Sequence, residues 1–313
     1  AEYKNTNVSA NANISYQINH KHSVAINDVI SGYRRKNTDA AAIAEPGTVL
    51  DTIQRTNLKN VLGLSYRYRH NEKWTTNLLL KQYNVDVTGP VNISTSTSKE
   101  ELVSKNQKFG TTGYGFATTY SFETVQLKAS WEKAYRLPTD RELFGDEVLE
   151  SGNAALKAEN SMNYNIGAVL NKQINENNTI YVDVNAYYRN TKDYIRRVID
   201  ARYGSGSSVN HGNVLNKGID AEVRYYYGNT FSIGGNVTYQ DIRNNERYEK
   251  ATSNQLSVTY KDRVPNVPYF FGNADATYYF HDLGGKGNVL ALGYTFNFVE
   301  QYYLNWESLG TEE

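Results

Sequence analysis

The sequence predicts an all-β protein: a transmembrane antiparallel β-barrel built from about twelve long strands. Three observations carry this. Apolar and polar residues alternate with period 2 over segments of roughly 10 to 16 residues, whereas strands of soluble folds average about 5 or 6. Connections between these segments alternate short, long, short, long. No window approaches the roughly 18 consecutive apolar residues of a membrane-spanning helix, so a membrane location has to come from strands.

The strands are expected near 3 to 18, 22 to 36, 52 to 69, 73 to 87, 108 to 121, 124 to 135, 161 to 173, 178 to 190, 215 to 227, 230 to 242, 268 to 280 and 288 to 302. The stretch TIYVDVNAYYR shows the logic. Ile180, Val182, Val184, Ala186 and Tyr188 share one face, and Tyr181, Asp183, Asn185, Tyr187 and Arg189 the other. Val125, Leu127, Ala129 and Trp131 likewise oppose Gln126, Lys128, Ser130 and Glu132, and Leu290, Leu292, Tyr294, Phe296 and Phe298 share a face near the end. In strand 22 to 36, Asp28 interrupts the row of Val24, Ile26 and Ile30, which predicts a bulge there.

NHK, HNEK, the residues at Phe122 to Thr124, INENN, GNT and HDLGGKG read as short turns; long polar loops fall near 37 to 51, 88 to 107, 136 to 160, 191 to 214 and 243 to 267. Short periplasmic turns and long extracellular loops are the asymmetry of outer-membrane barrels. Tyr and Phe gather near strand ends, as at Tyr66, Tyr68, Tyr225 to Tyr227, Tyr269 to Phe271, Tyr278 to Phe280, Tyr302 and Tyr303, which suits girdles at two membrane interfaces. The apolar faces are therefore expected to meet lipid. The opening AEYKNTNVSANANISYQ has no apolar core of a signal peptide, and both ends would lie on the long-loop side. The expectation is an internal piece, 1–313, of a larger barrel with strands missing at both ends.

The run AYRLPTDRELFGDEVLESGNAALKAENSMNYNIG, beginning at Ala134, resembles a segment of TonB-dependent outer-membrane receptors. The matching residues are Tyr135, Arg136, Pro138, Glu142, Leu143, Phe144, Gly152, Asn153, Leu156, Lys157, Glu159 and Gly167, with Ala158 where the family usually has Pro. VPNVPYFFGNADATYYF is similar to a late loop-to-strand entry of such barrels, with Asn273 and Asp275 on the inner face. The resemblance implies a barrel of about 22 strands closed by a plug domain, of which these twelve would be roughly the eighth to the nineteenth. It also implies active import of a ferric siderophore, haem, cobalamin or glycan. The partners are then the TonB complex, through a plug region not contained in this chain, the small-molecule or glycan cargo, and outer-membrane lipid.

Lys+Arg and Asp+Glu both number 33, which argues against a nucleic-acid partner recognised by a basic field. Cys is absent, so no disulfide framework or thiol chemistry exists. Four of the five His, namely His20, His22, His70 and His281, fall at short turns. No Ser/His/Asn or Asp/His set can then gather at one barrel height near the long loops, and an enzyme is not expected. The carboxylates of DRELFGDEVLE lack the spacing of a calcium loop, and neither a metal nor a cofactor is expected. Binding suits the loops better. Arg34, Arg35 and Lys36 open the first, Arg196, Arg197 and Arg202 lie in the fourth with the lone loop histidine, His211, and Arg243, Arg247, Lys261 and Arg263 lie in the fifth. Such groups suit an anionic cargo, and Tyr33, Tyr194 and Tyr203 beside them suit a planar one. The same residues leave two rival arrangements: a stand-alone barrel acting as a passive channel or translocator, and a soluble β-rich carbohydrate-binding protein.

Overall fold

The computed structural model describes residues 3–37, 54–94, 100–146, 149–200, 204–249 and 254–310. Twelve strands form one antiparallel sheet, the wall of a barrel: β1 (Tyr3–Gln17), β2 (His22–Asn37), β3 (Arg55–Arg69), β4 (Trp74–Ser94), β5 (Glu100–Ser121), β6 (Val125–Arg136), β8 (Glu159–Asn175), β9 (Asn178–Lys192), β12 (Val214–Tyr227), β13 (Phe231–Asn244), β14 (Phe270–His281) and β15 (Val289–Val299). Each pairs with its neighbours in chain order, as short hairpin turns require. Between them lie α1 (Asp140–Phe144), β7 (Glu150–Ser151), β10 (Tyr194–Asp200) and β11 (Ser205–His211), the three short strands forming a second sheet. No helix among the described residues is long and apolar enough to cross a membrane.

All twelve predicted strands are present, and the alternation sorts them as expected. The inner face of the sheet is the one against which α1 packs, through Tyr33 of β2 and Val85 and Val87 of β4. Val182 stands opposite Leu170 and Val223 on the other face, among exposed apolar residues such as Ile166, Leu78 and Leu292. A single layer with its apolar side turned outward has no second sheet to bury that side, which removes the sandwich arrangement. On the inner face charges meet across strands: Lys81 Nζ reaches Glu132 Oε1 at 2.7 Å, and Arg224 Nη1 reaches Asp275 Oδ1 at 3.5 Å. These charged residues thus pair with one another inside the wall.

Three expectations are corrected. Asp28 marks no bulge: it stands opposite Ala12 and Leu62 in unbroken register, and its carboxylate accepts a 2.5 Å hydrogen bond from Asn60 Nδ2, which satisfies it without a break in the ladder. Among the described residues the one shift lies instead between Gln173 and Asn175, beside the β8–β9 turn. The predicted loop 88 to 107 is mostly strand, because β4 and β5 stay paired from Trp74↔Tyr120 to Ser94↔Glu100. Gly89 and Pro90, inside that predicted loop, sit in β4. A Cβ at Gly89 would lie 2.9 Å from both Phe144 and Ala154, so glycine there admits the packed loop rather than reversing the chain. Finally, β15 ends at Val299 and not near 302. The chain then folds back, with the Tyr303 carbonyl accepting from Asn266 N at 2.8 Å and Trp306 buried against Val214, Ile242 and Val264.

Candidate functional site

The described parts of the long loops at one end of the wall are built structures. Arg136, at the close of β6, donates from Nη1 to Glu142 at 3.1 Å and from Nη2 to Glu159 at 2.8 Å. Pro138 is fully buried, and Thr139 caps α1 in a capping box with Glu142. That short helix drops Leu143 and Phe144 into a core with Tyr33, Val85, Val87, Leu156 and Ile195, where Phe144 stacks on Tyr33 at 5.5 Å. Gly152 lets the returning chain run directly under the Phe144 backbone, and Asn153 Nδ2 donates to the Ser208 carbonyl at 3.0 Å. Glu159 also accepts from Ile195 N at 2.9 Å, and Tyr135 packs against Tyr83 at 5.7 Å. Thus the recognisable motif residues fasten loop 137–158 to the inner wall and to the β10–β11 hairpin.

The hairpin divides the expected binding residues. Tyr194, Arg196 and His211 fall together around Trp306: Arg196 lies 5.2 Å from the Trp306 ring, the His211 ring lies 5.2 Å from it, and Tyr194 packs on the same cluster. Burial pulls the Arg196 guanidinium down from its ordinary range. Burial also lowers His211, assisted by Arg196, while its hydrogen bond to Asn244 and the nearby Glu246 carboxylate act the other way. Burial raises the Tyr194 hydroxyl. Arg196 Nε and His211 Nε2 are both buried with no hydrogen-bond partner among the described residues. Just below, a cavity of about 480 Å³ opens along the inner wall, lined by Tyr194, Arg189, Glu159, Asn163 and Gln240 among others.

Arg197 points the other way and donates from Nε to Glu150 at 2.6 Å. Arg34 is exposed and alternates with Tyr33 and Arg35, so it is on the outer face; Arg35 donates to the Phe144 and Gly145 carbonyls at 3.3 Å. Arg202 and Tyr203 lie outside the described residues. In the fifth loop Arg243 is held by Asp241 at 2.7 Å, and Arg263 covers the Tyr269 ring at 3.9 Å. Trp306, the residue that joins Arg196 to His211, was not among the expected site residues; its only sequence signal is that it is one of three Trp. No three His, Asp or Glu side chains gather as metal ligands among the described residues.

No curated protein matches by sequence. Among solved structures the chain is similar to the hemophore receptor HasR of Serratia marcescens, in complex with its hemophore HasA and heme. The TM-score is 0.63 at 14% identity, over 96% of this chain and 52% of that one. The ferric yersiniabactin uptake receptor FyuA of Yersinia pestis gives 0.62 at 12% identity over 97% and 44%. The iron transporter FrpB of Neisseria meningitidis gives 0.60 at 15% over 95% and 43%. The chain therefore spans about half the length of these structures, and they are receptors and transporters rather than enzymes. The family model described as TonB dependent receptor-like, beta-barrel, matches residues 2–311, and the chain belongs to that family of outer-membrane barrels.

Proposed function

We propose that this chain is barrel wall and cargo mouth of an outer-membrane receptor that imports a scarce nutrient with energy supplied through the TonB complex. The cargo classes are a ferric siderophore, haem, cobalamin or a glycan, and the site favours an anionic molecule among them. The observation that carries this is the set of Arg196, His211 and Trp306. A guanidinium and an imidazole, each with a buried unpartnered nitrogen, flank an indole ring at the loop end of the barrel, above a polar cavity. An orphaned guanidinium donor at a binding mouth is what an anionic ligand satisfies.

Membership of the TonB dependent receptor-like family supports the energy source and the partner. The outward apolar face of the wall supports its seat in lipid. The test is uptake by the complete receptor in cells. Arg196→Ala with His211→Ala is expected to weaken cargo binding by roughly 10-fold or more, the worth of hydrogen bonds to charged groups. Unchanged affinity removes this cluster from the cargo site. Uptake that persists in cells lacking TonB function replaces the reading with a passive channel.

A further inference from the structure

At the opposite, short-turn end, the outer face carries a feature that cargo import does not use. Four aromatic or imidazole rings follow one another across the β2–β4 hairpins: His22 stacks on Tyr68 at 4.8 Å, Tyr68 meets His70 edge-on at 4.3 Å, and His70 stacks on Trp74 at 4.0 Å. The His22 Nδ1 is hydrogen-bonded to the Tyr66 hydroxyl at 2.5 Å and His70 Nε2 to the Thr76 hydroxyl at 3.0 Å, which fixes both rings and leaves each a second nitrogen. Trp74 Nε1 is taken by Thr118 of β5 at 2.8 Å. By strand parity these residues share the outer face with Val24, Leu64 and Leu78, so an oily surface runs up from the strip.

Two neighbouring turns put cations beside the strip; of the other short turns only HDLGGKG, with Lys286 and Asp282, also carries one. Lys21 and Lys73, both exposed, stand next to His22 and Trp74, with Glu72 the one acid in these two turns, whereas Glu123 and Glu176 occupy the next two without a cation. A turn-level cation, a fixed imidazole with a spare nitrogen and an adjoining apolar wall match the three parts of a phospholipid: anionic phosphate, glycerol backbone and acyl chain. We propose that the His22–Tyr68–His70–Trp74 strip, with Lys21 and Lys73, binds the phosphate of an anionic glycerophospholipid in the leaflet on the short-turn side. This rests on the membrane seat proposed above.

The complete receptor, delipidated and returned to mixed micelles with phosphatidylglycerol or phosphatidylcholine, is analysed for retained lipid by native mass spectrometry. The expected result is a preference for phosphatidylglycerol of about tenfold. His22→Phe with His70→Phe keeps the stacked rings and removes the nitrogens, and Lys21→Gln with Lys73→Gln removes the charges; each pair is expected to abolish the preference while the barrel still assembles. Equal retention of both lipids by the unaltered receptor, or a preference that survives in either double variant, overturns the proposal. A receptor that enters vesicles of neither lipid overturns the membrane seat itself.

Discussion

At Arg197 the guanidinium is held by Glu150, whereas its neighbour Arg196 is turned toward Trp306, so alanine at the two positions has separate outcomes. Arg197 is half-exposed while Glu150 is mostly covered, and solvent screening on the arginine side keeps such a pair to about 1 kcal/mol. Arg197→Ala is therefore expected to leave cargo affinity within about threefold and to speed hydrogen exchange in β7 and β11, whose parallel pairing it braces. His211 gives a pH dependence. Burial lowers its affinity for a proton below the ordinary value near 6.5, so the form with Trp306 docked takes up a proton less readily than the undocked form. Docking of segment 300–310 is then strongest above that value and weakens as pH falls through it toward the depressed one. Following exchange of this segment from about pH 8 to about pH 5 should show it opening on acidification, and His211→Gln should flatten the profile.

At the scale of elements, α1 is only five residues long and is held by its ends and its two buried side chains. Thr139→Ala removes one half of the capping box and should cost about 1 kcal/mol, read as faster proteolysis of loop 137–158 with the barrel intact. The strands offer a contrast between faces: Val182→Arg on the apolar outer face is expected to cost about 2–4 kcal/mol in barrel assembly, and Asn185→Arg on the inner face little. Equal tolerance of both would contradict the outward apolar face. The strands were legible because a period-2 pattern needs only local sequence. The height of the β4–β5 hairpin was not, since Gly89 and Pro90 lie inside the predicted loop and only contact with Phe144 shows why the strand passes through them. Thr139 and Glu142 carried a helix-start signature that a strand-by-strand reading passes over. At the site, Arg196 and His211 could be picked out by residue type, but their meeting at Trp306 joins segments about a hundred residues apart, and no periodicity encodes that contact.

For the whole molecule, the decisive feature is the pair of edges. Among the described residues β1 pairs only with β2 and β15 only with β14, and both edge strands are exposed from Lys4 to Gln17 and from Val289 to Val299. In lipid an open edge strands a row of backbone N–H and C=O groups, each costing several kcal/mol, so a barrel wall has to close. Twelve strands closing on themselves would make a narrow barrel and favour the passive channel; further strands between the edges would make the wide lumen, of about 22 strands, that needs a plug. Cysteine pairs in the receptor within its native membrane distinguish these. Ala276→Cys with Tyr294→Cys stand opposite each other on β14 and β15 and should cross-link readily. Val8→Cys with Phe296→Cys, one on each edge, should not if the proposed receptor is right, because further strands would then keep the edges apart. A cross-link between β1 and β15 as efficient as the control would mean that these strands close directly on one another, and the energised receptor would give way to a small stand-alone pore.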